Sequence, residues 1–183
     1  MTFEETSVAG AYVVQIEPIR DDRGFFARSW CSREFAEHGL NASFVQENVG
    51  FSELAGTLRG LHFQRAPFEE VKLIRCTAGS VWDVVVDLRP SSPSYLGSAG
   101  VELSAEARNM LYVPEGCAHG YLTLTDGCET RYFTSQFYEP LAASGVRYDD
   151  PAFGLDWPFE IRKVSEPDRA WPLIEGEDGE GEQ

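Results

Sequence analysis

Three side chains in this sequence are of the types that move protons beside a carbonyl: His62, Lys72 and Tyr132. The chain holds only three histidines and two lysines. Two of those histidines and one lysine fall in short segments rich in strand formers. His62 lies in Leu58-Arg59-Gly60-Leu61-His62-Phe63-Gln64, and His119 closes Pro114-Glu115-Gly116-Cys117-Ala118-His119. In a sheet-lined pocket, an imidazole can take a proton from a carbon next to a ketone. An ammonium can hold the enolate oxygen, and a phenol can return a proton from the other side. That chemistry needs no cofactor.

The elements must then place these groups together. Strand alternation puts His62 with Gln64, Lys72 with Ile74, and Tyr132 with Thr134. Arg59 and His62 differ by three residues, so they share a face only if a bulge intervenes. The Pro and Gly of Pro114–Gly116 set a turn, and His119 opens the strand after it. Taken singly, the bland readings are a satisfied core histidine, a solvated strand lysine and a core tyrosine. Their joint placement within a few strands favours a site. A metal centre is disfavoured: the pair His62-Phe63-Gln64 lacks a second imidazole, and two histidines without a clear carboxylate partner suit a transition metal poorly.

The scaffold reads as many short strands. Candidates are Tyr12–Ile19, Ala42–Phe51, Thr57–Phe63, Val71–Thr77, Ser80–Leu88, Gly100–Leu103, Met110–Val113, Gly120–Leu124 and Glu129–Phe137. They are rich in Val, Leu, Tyr and Phe and bounded by Gly, Pro, Ser or Asp. Ala78-Gly79 separates two of them at hairpin spacing. A short helix is expected over Arg33–His38, with Ser32 as N-cap and Gly39 as stop. An all-β jelly-roll sandwich or barrel with one or two short helices follows, and its concave interior would serve as a pocket. No repeat or linker is evident. Residues 1–174 read as one domain, and the acidic, Gly-rich residues 175–183 read as a disordered tail.

Composition narrows the function classes. The net charge of −15 argues against nucleic-acid binding. Between Arg20 and Arg75, eight cations balance eight anions, so the rest of the chain carries the whole excess. If those arginines converge, they could hold a small anion such as a diphosphate; otherwise they are scattered surface pairs. No apolar run approaches the roughly 20 residues of a membrane span. The acidic N-terminus has no apolar signal core, so a soluble cytoplasmic protein is expected. Cys31, Cys76, Cys117 and Cys128 lack C-x-x-C spacing and read as buried free thiols rather than two disulfides.

A series of short motifs runs in order from about Arg20 to Pro172. They include Asp22-Arg23-Gly24-Phe25-Phe26, Phe44-Val45-Gln46-Glu47-Asn48, the Leu58–Gln64 segment and Lys72-Leu73-Ile74-Arg75. Further on come Gly79–Arg89, Val113–Gly120, Phe137-Tyr138, Asp149-Asp150-Pro151-Ala152 and Ser165-Glu166-Pro167-Asp168. In these the chain resembles the nucleotide-sugar epimerases typified by dTDP-4-dehydrorhamnose 3,5-epimerase, which are dimeric cupin-like jelly rolls.

The resemblance implies roles. His62 would be the general base and Asp168 its orienting carboxylate. Lys72 would donate to the C4 oxygen, and Tyr132 would be the acid on the opposite face. Arg59 and His119 would line the sugar and phosphates, and Tyr138 would pack on the sugar. Arg23, Phe26, Arg28, Gln46, Glu47 and Asn48 would bind the nucleotide part. The substrate would be a nucleotide-linked 4-keto-6-deoxyhexose inverted at C3, C5 or both, on the way to a deoxysugar. No cofactor or metal, and a homodimer, are implied. The chain departs from the family pattern where Arg28 and Ala143 replace glutamates and Pro167 replaces a lysine. A cation in place of an acceptor at Arg28 leaves CDP open beside dTDP as the nucleotide. Two readings of other classes stand beside this one: a non-catalytic sugar-nucleotide-binding cupin and a metal-dependent cupin enzyme.

Overall fold

The structure, a computed structural model, describes residues 1–174; the acidic tail expected over 175–183 lies outside the described residues. The strands are β1 Thr2–Glu5, β2 Tyr12–Gln15, β3 Ile19–Asp21, β4 Gly24–Phe26, β5 Gln46–Ser52, β6 Thr57–Gln64 and β7 Lys72–Ala78. They continue with β8 Ser80–Asp87, β9 Ser98–Ser104, β10 Met110–Val113, β11 Cys117–Thr123, β12 Cys128–Thr134, β13 Ala143–Gly145 and β14 Lys163–Val164. Two short helices, α1 Ser32–Glu37 and α2 Glu166–Ala170, complete the list with a 3-10 turn at Pro151–Phe153.

Two sheets form a jelly-roll sandwich. The first runs β1-β2-β10-β7-β12-β5, and the second runs β13-β6-β11-β8-β9 with β14 parallel to β6. Ile74, Cys76 and Leu111 of the first sheet meet Val81, Val85, Leu103, Cys117 and Tyr121 of the second in a core between them. The outer face of the first sheet is covered by α1, whose Phe35 packs with Val14, Leu73, Met110 and Tyr112. Burying such a phenylalanine stabilises the fold by about 1.5–3 kcal/mol. On the outer face of the second sheet, Val84, Val86 and Ala118 pack against Val146 and Phe153.

Several expectations need correction. β7 and β8 are not a hairpin, because they lie in different sheets. Gly79, at φ +72°, turns the chain from one sheet to the other. A Cβ there would stand 2.4 Å from Thr125 Oγ1 and 2.8 Å from Cys128 Sγ, so only glycine fits. The strand expected over Tyr12–Ile19 breaks into β2 and β3 around Pro18. Residues 42–45 are not strand. β11 begins three residues before the expected Gly120, so His119 sits inside it rather than at its opening. Cys31, not Ser32, occupies the N-cap of α1, without a side-chain cap bond. All four cysteines are free, but Cys31 is only partly buried.

Candidate active site

The two inner faces part at one end of the sandwich and leave a cavity of about 730 Å³, a size that takes a ligand. Its walls are set by register. On the first sheet Lys72 lies beside Thr134 and Tyr132 beside Ile74, with Gln46 and Asn48 next across β5. Alternation therefore brings Lys72, Tyr132, Gln46 and Asn48 to one face, as their spacing predicts. On the second sheet His62 and His119 are direct partners across β6 and β11.

The pairing slips by one residue beyond that point: Tyr121 stands opposite Arg59, two residues on from His119 against three back from His62. This is the bulge on which a shared face for Arg59 and His62 depended. Gly60 and Leu61 together stand against Gly120 there, with Gly60 at φ +133°. A Cβ on Gly60 would fall 2.6 Å from Gly120 Cα, so two glycines let the strands close over the bulge. Arg59 and His62 both line the cavity. The Arg59 guanidinium donates to the Phe51 carbonyl at 2.8 Å and to Ser52 Oγ at 3.2 Å.

His62 and its partner Asp168 lie 106 residues apart in the chain. Ser165 Oγ accepts the Asp168 N–H at 3.2 Å and caps α2. This places the buried Asp168 carboxylate under β6. Its Oδ1 lies 2.6 Å from His62 Nε2, and its Oδ2 accepts the Gly60 N–H at 3.4 Å. Burial pushes the Asp168 carboxyl up, but the His62 hydrogen bond and charge, with bonds from Ser165 and Gly60, outweigh it and leave it below the usual range. An ionised carboxylate on Nε2 leaves Nδ1 of the half-exposed His62 ring as the nitrogen open to the cavity.

Lys72 is buried, with Nζ 3.1 Å from the His62 carbonyl oxygen and 3.2 Å from Glu70. Burial raises the Tyr132 phenol, helped by nearby Glu70 and Tyr121 against Arg59. It therefore stays protonated at neutral pH, as an acid must. His119 Nε2 lies 2.8 Å from Asp83 Oδ1, and both residues are buried.

Sequence reasoning overlooked Asp83, which reads as one more residue of a buried strand. It also passed over Glu70, Lys163, Ser165 and Trp171, which line the cavity. Only the run of charge at Glu69-Glu70 before Lys72 could have flagged one of them.

Of the expected site residues, the cavity gathers His62, Lys72, Tyr132, Asp168, Arg59, His119, Gln46, Asn48 and Tyr138. It does not gather Arg23, Phe26, Arg28 or Glu47. Arg23 is 85 % exposed on the β3–β4 hairpin, where it pairs with Asp21. Phe26 is 75 % exposed. Arg28 binds Glu34 at 2.7 Å on the surface. Glu47 points to the opposite face of β5, toward Arg131 at 3.8 Å, because its neighbours Gln46 and Asn48 point inward. The arginines of the Arg20–Arg75 segment thus scatter, and only Arg59 enters the cavity. No group of three or more His, Cys, Asp or Glu side chains converges as a metal cluster among the described residues.

A jelly roll whose pocket sets an imidazole–carboxylate pair on one sheet against a lysine and a protonated phenol on the other is an enzyme site for moving protons to and from carbon, the work of an isomerase. Residues 5–176 match the family model described as dTDP-4-dehydrorhamnose 3,5-epimerase. A dTDP-4-dehydrorhamnose 3,5-epimerase of Methanothermobacter thermautotrophicus is 44% identical over 177 residues, covering 94% of this chain and 95% of that protein. The crystal structure of the enzyme of that name from Elizabethkingia anophelis superposes with a TM-score of 0.92 at 35% identity, over 95% of this chain and 96% of that one. A dTDP-6-deoxy-D-glucose-3,5-epimerase of Legionella pneumophila, in complex with dTDP-4-keto-L-rhamnose, gives a TM-score of 0.87 at 33% identity, over 94% and 92%. The chain belongs to the dTDP-4-dehydrorhamnose 3,5-epimerase family.

Proposed function

We propose that this protein epimerises a dTDP-linked 4-keto-6-deoxyhexose at C3, C5 or both, through an enolate and without a cofactor, in deoxysugar biosynthesis. The observation that carries this is the Asp168–His62 pair on one sheet facing Tyr132 on the other, with Lys72 beside them. His62 Nδ1 removes the proton next to the ketone, and Asp168 stabilises the imidazolium that forms. The Lys72 ammonium faces the C4 oxygen as it gains negative charge. Tyr132 then protonates the carbon from the opposite face, which inverts it. The dTDP-4-keto-L-rhamnose complex of the Legionella relative supports a substrate of this class.

The cavity's charges favour a diphosphate. Glu70 is engaged by Lys72 and Asp168 by His62. Among the described residues Arg59 and Lys163 line the same space without a carboxylate partner. The roles of Arg23, Phe26 and Arg28 need a second copy of the chain. They sit on or beside a hairpin that stands away from its own pocket, with Ile19 and Phe26 exposed. In a homodimer the hairpin of one protomer would close the nucleotide end of the other. No helix among the described residues is long and apolar enough to cross a membrane; with four free cysteines, this favours the cytoplasm.

The test is proton NMR of the protein with dTDP-4-keto-6-deoxyglucose in deuterium oxide, beside the CDP-linked analogue. Loss of the C3 or C5 signal is expected, fastest with dTDP, and the carbon affected names the specificity. Binding without exchange would instead identify a sugar-nucleotide-binding protein and sink the epimerase reading.

A further inference from the structure

A second imidazole–carboxylate pair, built like the first, stands in the cavity wall, with His119 lining the cavity and Asp83 buried behind it. His119 and His62 are direct cross-strand partners. Each turns Nε2 toward a buried aspartate, His62 to Asp168 at 2.6 Å and His119 to Asp83 at 2.8 Å. The first pair supplies the base; in the second, His119 is expected to line the sugar, and Asp83 has no assigned task.

Asp83 is fully buried on the inner face of β8. It lies opposite Tyr121, while His119 lies opposite Val85, so aspartate and histidine meet on the diagonal between strands. One carboxylate oxygen bonds His119; the other, Oδ2, is buried without a hydrogen-bond partner. Leaving a carboxylate oxygen unpaired in the interior destabilises a fold. Asp83 is therefore a poor choice for stability alone, and its one side-chain bond acts on one ring.

We propose that Asp83 is a positioning residue for the reaction. It holds His119 with a hydrogen on Nε2, so that Nδ1 faces the cavity as an acceptor for a sugar hydroxyl. A carboxylate can only accept, so the hydrogen of the shared bond belongs to Nε2. His119 lines the cavity, and its Nδ1 has no protein partner among the described residues. The two rings then divide the labour: Nδ1 of His62 takes the proton from carbon, and Nδ1 of His119 orients the sugar that presents it.

The inference rests on the epimerase reading for its kinetic half and stands without it for its structural half. With only three histidines in the chain, long-range proton–nitrogen NMR of the nitrogen-15-labelled protein resolves each ring. The expected result is Nε2–H for His119 in the parent. In Asp83→Asn the amide can donate to Nε2, which moves the ring hydrogen to Nδ1. Epimerisation of dTDP-4-keto-6-deoxyglucose should fall by more than about tenfold, as for lost orienting partners elsewhere, with dTDP affinity within about twofold. In a His119→Asn background, Asp83→Asn should add no further loss.

A hydrogen on Nδ1 of His119 in the parent protein overturns the proposal, even if the aspartate variant does not fold. So does an unchanged rate in Asp83→Asn, or a further loss in the double variant. If the parent does not turn the sugar over at all, the epimerase reading fails, while the ring measurement still decides what Asp83 does.

Discussion

The pocket wall and the β3–β4 hairpin both carry residues of the epimerase motifs, yet they are built in opposite ways. His62, Lys72, Tyr132 and His119 project from central strands, each paired on both sides or capped by a buried partner. Arg23 and Phe26 project from a two-stranded ribbon of three residues a side, joined to neither large sheet. A short two-stranded ribbon is marginal by itself in water. One chain thus holds its pocket residues in central strands and carries Arg23 and Phe26 on a separate exposed ribbon.

The sharpest way to break this contrast is to remove the proposed base. His62→Ala should abolish solvent exchange at the substrate carbons, a loss of about 10²–10⁴ or more, measured by deuterium incorporation; surviving exchange would place the base elsewhere. Tyr132→Phe should separate the two half-reactions. Exchange from solvent should persist within a few fold, while net inversion falls by about 10², and an equal loss of both would remove Tyr132 as the opposite-face acid. Arg23→Ala should act on binding instead. KM should rise about tenfold with kcat nearly unchanged, the signature of a contact made equally before and during reaction. A fall in kcat alone would move Arg23 into the chemistry.

The smallest effect expected is on stability. Because the folded Asp168 carboxyl lies below the usual aspartate range, its pairing stabilises the fold fully above the pH, about 4, at which an unfolded aspartate titrates. That contribution is lost as pH falls through the lower folded value. Asp168→Ala should therefore be less stable than the parent by about 1–3 kcal/mol at pH 7, with the gap narrowing below about pH 4. Urea unfolding at pH 7 and pH 3 reads this directly, and a gap that widens in acid would reverse the assignment.

The sheet half of the site was legible because strand alternation is local. Lys72 with Ile74 and Tyr132 with Thr134 could be sorted to faces from neighbours alone, and the structure keeps both pairs. His62 with Arg59 needed a bulge, which the spacing alone did not place and the structure puts at Gly60-Leu61. Asp168 could not be reached this way. It lies 106 residues from His62, on a five-residue helix with no hydrophobic period to announce it, and only the likeness to a family pointed there. Asp83 was hidden for the opposite reason: between valines in Val81-Trp82-Asp83-Val84-Val85-Val86 it looks like strand, which it is. The false hairpin at Ala78-Gly79 came from the same locality, since two strands a turn apart pair only if they stay in one sheet.

The bulge at Gly60 acts on β6 much as a single inserted base acts on a reading frame. Upstream of it, odd and even residues exchange sides relative to the partner strand. Losing one residue from Gly60-Leu61 would leave the rest of the motif intact and still turn Arg59 out of the cavity. A relative can therefore keep the catalytic histidine, align well throughout, and read a different message to its substrate.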